Sequence, residues 1–372
     1  MSTANFRMVR LAREMREMSQ TRLAYESRVP QASISRIEGN LRAATSEELA
    51  QISAALDVPP TFLTSPETPA AVPLFRKRAI RSATTNRKIQ ARINTAVLAA
   101  RRLLDAGVDI ETPFAFPQPG EIPSDDPVNA SRIVRRAWRM PNGRVDNLTA
   151  LIEGGGGIVL HVDFGSDDAS AAFVSAMDDP RLWFLVNTRE TAGDRVRLSL
   201  AHELGHAVMH RYLPTHDEAR LEPDAYEFAI ALLLPPEEFD RTIGGEPTLR
   251  RARDLKRAYW VSVQAIIKAA RDRQLITASR YTSLYKQISA RGWRRDEPDA
   301  IPVEQPTVWP AALDVHRTRH GYTDDELAHL ACLTPDDLAD LFPRNFAPRL
   351  RVVGGDRPTP TVGPQDAGLR FA

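Results

Sequence analysis

Apolar positions recur every three or four residues over most of this chain and run in strand-like blocks over only two short stretches. Helices should therefore dominate, with few strands. From Asn5 to about Leu63 the spacing predicts four or five short helices, in "FRMVRLAREMREM", "SQTRLAYES", "PQASISRIEG" and "TSEELAQISAALDV". Thr45 before Ser46-Glu47-Glu48 is a capping-box start, and Pro59-Pro60 ends the last regular helix. "TSPETPAAVP", Thr64 to Pro73, has the composition of a linker. Helical spacing resumes in "INTAVLAARRLL" and breaks in "PFAFPQPGEIPSDDP". A mixed segment follows: "RVDNLTALIEG" as a helix, glycines 154–157 as a turn, and "GIVLHVDF" and "LWFLVN" as strands. Helices are then expected over Leu198 to about Tyr212, in "PDAYEFAIALLL" up to Pro235-Pro236, and in "TLRRARDLKRAYWVSVQAIIKAARDRQL" and "SRYTSLYKQIS". From Asp296 the chain is Pro-rich, with one helical piece around "DDELAHLACLTPDDLADLF" and a tail expected to be disordered. No internal repeat of useful length stands out. The fold class is α+β, helix-dominated.

A chain of 372 residues exceeds what one core usually organises, so two or three domains are expected. The net charge of +1 makes no global case for a nucleic-acid or membrane partner. Locally the picture differs: Arg76 to Arg102 holds nine basic residues and no acidic one. That stretch reads as a solvated helix face, or alternatively as a source of extra phosphate contacts. No apolar run approaches the roughly eighteen residues that span a bilayer, and the N-terminus lacks a secretory apolar region, so a cytoplasmic protein with no membrane partner is expected. The lone Cys332 excludes an intrachain disulfide and a multi-cysteine metal cluster, leaving His and carboxylates as metal ligands.

Ser19 to Val58 has the grammar of a helix-turn-helix. A helix opens at Ser19-Gln20, a turn falls around Arg28 to Pro30, and a second helix starts at Gln31. Ala24, Val29, Ile34 and Ile37 sit where apolar residues would lock the two helices together. Gln31, Ala32, Ser33 and Arg36 then face outward, and these types suit groove reading: Gln pairs with adenine, Arg with guanine, and Ala approaches a thymine methyl. Gln20 and Arg42 are placed for phosphates. The stretch resembles the Cro/cI-like (XRE) family of helix-turn-helix repressors, which implies a double-stranded DNA operator as partner. The bland alternative is a helical module for protein contacts.

"LSLAHELGHAVMHR", Leu198 to Arg211, places three histidines and a glutamate in an otherwise apolar helix. His202 and His206, four residues apart, present their imidazoles on one face and can share an ion. Glu203 stands about 100° round the axis, within reach of a water on that ion. This is the H-E-x-x-H arrangement, in which two imidazoles hold Zn²⁺ and the carboxylate acts as general base on the activated water. A third protein ligand is needed, and Glu222, with Pro223 favouring a first helical turn after it, is the leading candidate. Asp224, Glu227, His210 and His216 remain alternatives at this stage. Sites built from two histidines and a carboxylate accept several divalent ions, so Mn²⁺ stands beside Zn²⁺.

"HELGH" followed by "EPDAYEFAIALLLPPEEF" resembles the ImmA/IrrE family of zinc metallopeptidases, through Glu222, Ala225, Phe228, Ala229, Leu232, Leu233 and Pro235. "RVDNLTALIEGGGG", "LWFLVN" and "GDRVRLSLAHELGH" extend the likeness over about Arg144 to Trp293. Tyr226 and Asp224 depart from the usual pattern. The resemblance implies a zincin-like peptidase domain and, as substrate, a regulatory protein such as a repressor or antitoxin; the residues themselves imply only peptide or amide hydrolysis. The expected organisation is a DNA-binding domain at 1–65, a linker and basic helical connector at 66–143, the peptidase domain at 144–295 and a Pro-rich extension at 296–372. A second copy of the chain is a further expected partner. "LWFLVN" is a candidate edge strand for pairing an extended substrate, or else a buried strand. "VSVQAIIKAARDRQLI" has the look of another helix-turn-helix, with Gln264, Lys268 and Arg271 outward, more in keeping with packing than with DNA reading. The competing functional reading is a transcription factor whose peptidase-like body is a non-catalytic sensor or dimerisation module.

Overall fold

A small mixed sheet divides two hydrophobic cores. The computed structural model describes residues 4–69, 82–108, 110, 112–117, 121–123, 125–176, 178–211, 218–244 and 247–343. The linker end, the first basic residues from Arg76, His216 and the C-terminal tail lie outside the described residues. In chain order come α1 (Phe6–Met15), α2 (Gln20–Ser27), α3 (Gln31–Glu38), α4 (Ser46–Leu56), α5 (Pro60–Thr64), α6 (Ala83–Asp105), α7 (Pro127–Ala137) and α8 (Leu148–Gly154). The strands follow: β1 (Gly157–Val162), β2 (Ala171–Ala176) and β3 (Asp179–Asn187). Next are α9 (Gly193–Gly205), a π turn at His206–His210, α10 (Glu218–Leu233), α11 (Pro236–Ile243), α12 (Leu249–Tyr259), α13 (Val263–Asp272) and α14 (Ala278–Ala290). α15 (Val308–Thr318), α16 (Asp324–Leu330) and α17 (Pro335–Leu341) complete the described chain.

The strand order is β1-β3-β2. β1 runs parallel to β3 from Gly157↔Leu182 to Val162↔Asn187, and β2 runs antiparallel to it, with Ala172↔Leu185 in register. Side chains alternate across the sheet as a pleat requires. Ile158, Leu160, Ala172, Val174, Trp183 and Leu185 join a core built with α1–α6 and α15–α17. Val159, Phe173, Phe184 and Val186 join the other core, built with α7–α14. β3 is the central strand, so an edge role for "LWFLVN" is ruled out; its apolar run serves burial on both faces. β1 and β2 are the two edge strands, and the sequence "AAFVSA" of β2 carries too little alternation to mark it as a strand.

The helix-turn-helix forms over the expected residues. Ser19 caps α2 by accepting from the Arg22 amide, Arg28 takes the left-handed turn conformation at φ 59°, and α3 starts at Gln31. Leu23, Val29, Ile34 and Ile37 are buried at its centre, whereas Ala24 is only half-buried; Leu23 supplies the lock expected of Ala24. α6 is no solvated helix: Ile89, Ile93, Asn94, Thr95, Ala96, Leu103 and Leu104 are all buried. It packs against α1, α15 and α16, so the helix-turn-helix shares one core with the sheet.

Thr323 to Phe342 repeats the helix-turn-helix in miniature. Thr323 and Ser19 are N-caps, Leu327 and Leu23 are fully buried, and Cys332 (φ 56°) matches Arg28 (φ 59°), each nine residues after its cap. Leu333 and Leu341 then correspond to Val29 and Ile37. The outward face is acidic instead. Asp336, Asp337 and Asp340 occupy the places of Ala32, Ser33 and Arg36, and this face meets protein: Asp337 takes both Arg16 Nη atoms at 2.6 and 2.7 Å, and Asp340 pairs with Arg92 at 2.8 Å.

Candidate metal centre and DNA-reading face

α9 begins one turn and more before Leu198, at Gly193, because its start is pinned by buried polar contacts that have no local sequence signature. The Gly193 amide donates to the Ile301 carbonyl at 3.1 Å, and the backbone of Pro302 lies so close that a β-carbon at this position has no room. Asp194 accepts from the buried Lys256 at 2.5 Å, and Lys256 also reaches Glu297 at 3.1 Å. One turn on, the buried Arg197 pairs with Glu304 and donates to the Val145 carbonyl at 2.6 Å. Charges in the interior are tolerated when such partners are supplied. Together they fix the direction in which the helix presents its histidines.

His202, Glu203 and His206 are all buried, and His202 on α9 and His206 at the start of the π turn both face Glu222 of α10. His202 Nε2 and His206 Nε2 lie 3.1 Å apart. Glu222 approaches both, Oε2 at 3.4 Å from His202 Nε2 and Oε1 at 3.3 Å from His206 Nε2. A tetrahedral ion with bonds of about 2.0–2.1 Å has ligand–ligand edges of roughly 3.3–3.4 Å, so these donors stand at the spacing such an ion requires. His202, His206 and Glu222 are the three-residue group among the described residues that could hold a metal. Glu222 remains one-third exposed, which opens the cluster toward solvent on that side.

The rivals to Glu222 are placed elsewhere. Asp224 pairs with Arg220 at 3.1 Å, and Glu227 is exposed. Pro223 does not occupy a first helical turn: α10 starts at Glu218, and Pro223 lies inside it. What brings Glu222 to the histidines is a close helix crossing. A β-carbon on Gly205 would meet Ala225 Cα at 3.1 Å and Phe228 Cδ1 at 3.0 Å, so the two helices approach over a glycine and an alanine.

The helix widens into the π turn at His206, a local unwinding found most often at functional sites. His210 Nδ1 then lies 3.0 Å from His206 Nδ1. An ion held on His206 Nε2 would leave the ring proton on Nδ1, where His210 Nδ1 stands to accept it and so orient the ring. Burial, and next the neighbouring histidines, push the His210 imidazole down to about 3, so it stays neutral and accepts. Burial opposes ionisation of Glu222, yet the facing His202 and His206 imidazoles outweigh it and hold the carboxylate well below its ordinary range.

On the candidate DNA-reading face Gln31, Ala32 and Arg36 are exposed and Ser33 half-buried. A hydrogen-bonded chain organises this face: Arg13 grips Glu38 at 2.6 and 2.8 Å, Gln20 donates to Glu38 at 3.0 Å, and Gln31 donates to Gln20 at 3.1 Å. Arg42 is turned to Glu48 at 2.8 Å and to the Ala43 carbonyl, so its guanidinium closes the α3–α4 loop. In the second helix pair, Gln264 bonds to Glu297 and Trp293, Lys268 lies over the Tyr226 ring and Arg271 over Tyr281. These side chains make packing contacts within the protein.

No helix among the described residues is long and apolar enough to cross a membrane. No curated protein matches the chain. Residues 9–63 match the family model described as helix-turn-helix, and residues 172–271, from β2 through α13, match the peptidase-family model described as the IrrE N-terminal-like domain. The second match contains His202, Glu203, His206 and Glu222. The chain thus joins an N-terminal XRE-type helix-turn-helix domain to an IrrE-like peptidase domain.

Proposed function

We propose that this protein is a DNA-binding transcriptional regulator whose second domain is a metal-dependent endopeptidase, cleaving a peptide bond in a regulatory protein such as a repressor or antitoxin. The observation that carries the reading is the buried His202–His206–Glu222 group at ligand spacing, with the buried Glu203 next in the helix. These three side chains would hold Zn²⁺, with Mn²⁺ as the other ion the donor set suits. Such an ion supplies Lewis acidity toward a peptide carbonyl and acidifies water toward neutrality. Glu203 takes the proton of the attacking water and returns it to the leaving amine. His210 keeps His206 in the correct tautomer, and Glu222, being fully ionised, contributes charge without competing for protons. An extended substrate would pair with the outer edge of β2, the strand that α9 packs against.

Glu203→Gln separates this from the sensor reading. Incubated with products of neighbouring genes and with Zn²⁺ or Mn²⁺, wild type should yield defined fragments by mass analysis. The variant should hold the same metal by elemental analysis and yield none. A variant that cleaves like wild type removes Glu203 from the chemistry; a wild type inactive on every candidate, with its regulatory phenotype intact in the variant, favours the non-catalytic body.

A further inference from the structure

Five basic residues lie on α6, and four are committed to carboxylates: Lys88 to Glu17, Arg92 to Asp340 at 2.8 Å, Arg101 to Asp178 at 3.0 Å and Arg102 to Glu67 at 2.9 Å. Arg87 is the exception among the described residues. It is exposed, and its hydrogen bond is a long one, 3.4 Å to the Thr84 hydroxyl. An unpaired exposed arginine on a helix whose other cations are all paired is conspicuous.

Its position gives it a use. Thr84 and Arg87 form one wall of an open cleft of about 660 Å³, and Gln20, Gln31 and Ser35 of the helix-turn-helix stand on the other side. The glutamates lining the cleft are each neutralised by a cation, Glu14 by Arg10 at 3.0 Å, Glu17 by Lys88 and Glu38 by Arg13 at 2.6 Å. Arg87 is left as the wall's uncompensated charge. A duplex seated on α3, with Gln31 at the bases, carries its backbone past Gln20 and into this cleft.

We propose that the DNA interface extends beyond the helix-turn-helix onto α6, where Arg87, helped by the Thr84 hydroxyl, takes a backbone phosphate. This rests on the DNA-reading assignment of α3. The contact comes from a helix that packs in the same core as the sheet, so bound DNA grips both the reading domain and the body of the molecule. It carries no base information and serves affinity and orientation.

The test is fluorescence anisotropy of the full chain with a random-sequence duplex over a range of KCl concentrations. Arg87→Ala should lower affinity several-fold at low salt and reduce the slope of log K against log[salt] by about 0.9, the release from one phosphate. Arg87→Glu should weaken binding further, Arg87→Lys should restore most of it, and Arg101→Ala should change neither quantity. Melting should be unchanged in the Arg87 variants, since no ion pair is lost. If Arg36→Glu weakens binding while Arg87→Glu matches wild type in affinity and slope, the α6 contact is refuted and the reading of α3 survives. If neither substitution has an effect, or wild type does not bind, both fail.

Discussion

Gly205→Ala is the most discriminating single change at the candidate metal centre. Gly205 has φ −57° and ψ −46°, which any residue adopts, so glycine is not needed for backbone freedom. The reason is space. The added β-carbon would sit 3.1 Å from Ala225 Cα, 3.2 Å from Ala225 O and 3.0 Å from Phe228 Cδ1. Phe228 can turn slightly, but the Ala225 backbone yields only if α10 moves, by about 0.5 Å, to restore ordinary carbon contact. Overpacking of this kind costs about 1–3 kcal/mol, against a helix-propensity gain of about 1 kcal/mol for Gly→Ala, leaving a net loss of roughly 0–2 kcal/mol. Glu222 lies one turn from Ala225 on the same helix, and its carboxylate spans the two imidazoles at 3.3 and 3.4 Å. Withdrawing it by that shift should weaken metal binding about 10–100-fold, the usual scale for disturbing groups that orient ligands. Chelator competition measures the affinity and a thermal melt the stability. The expected result is a large loss of metal affinity with a melting change of only a few degrees. A variant that binds metal as wild type does and melts higher would refute the close-approach argument.

Two further outcomes follow from contacts distant from the metal centre. Glu153, buried on α8, accepts hydrogen bonds from the Thr307 amide and hydroxyl and from the Val308 amide, capping α15; burial nonetheless raises its carboxyl to about 7. A folded pKa above the unfolded value means its contribution to stability is full below about pH 4.5 and is lost as pH rises through about 7. The melting temperature of wild type should therefore fall relative to Glu153→Gln across that window; parallel profiles would contradict the assignment. Arg16 grips Asp337 and also donates to the Leu56 and Asp57 carbonyls at the end of α4. In a double-mutant cycle by denaturant unfolding, Arg16→Ala and Asp337→Ala should couple by about 1–2 kcal/mol, with Arg16→Ala the costlier single change, and strict additivity would show that the pair does not clasp.

What the sequence made legible follows from how local each feature is. The caps at Ser19 and Thr45 and the His202–His206 pair are set by neighbours within one or two turns, so spacing alone exposes them. The identity of the third donor depends on α10 crossing α9 at Gly205 and Ala225, a contact between segments twenty residues apart that no periodicity reports. Sequence favoured Glu222 through its place in the family motif and through a first-turn role for Pro223, and the earlier start of α10 removes the second of these. Strand order was invisible for the same reason: "LWFLVN" is equally apolar whether it lies at an edge or, as here, between two neighbours. The C-terminal echo of the helix-turn-helix has no sequence signature, because its likeness lies in burial and in one left-handed turn residue while the outward positions have become acidic.

That acidic face bears on how the two domains are joined. An acidic α17 is repelled by a phosphate backbone but fits the arginines of α1 and α6, and those two helices are also where the reading domain meets the body. Arg102 closes the same junction from α6, binding Glu67 and Ser65 at the end of the reading domain and the Ala331 carbonyl at the turn of the echo. On the far side, β3 sends Trp183 and Leu185 into this shared core and Phe184 and Val186 into the core that supports α9. The sheet therefore stands between the core shared with the helix-turn-helix and the core that supports α9, and β3 is the strand common to both.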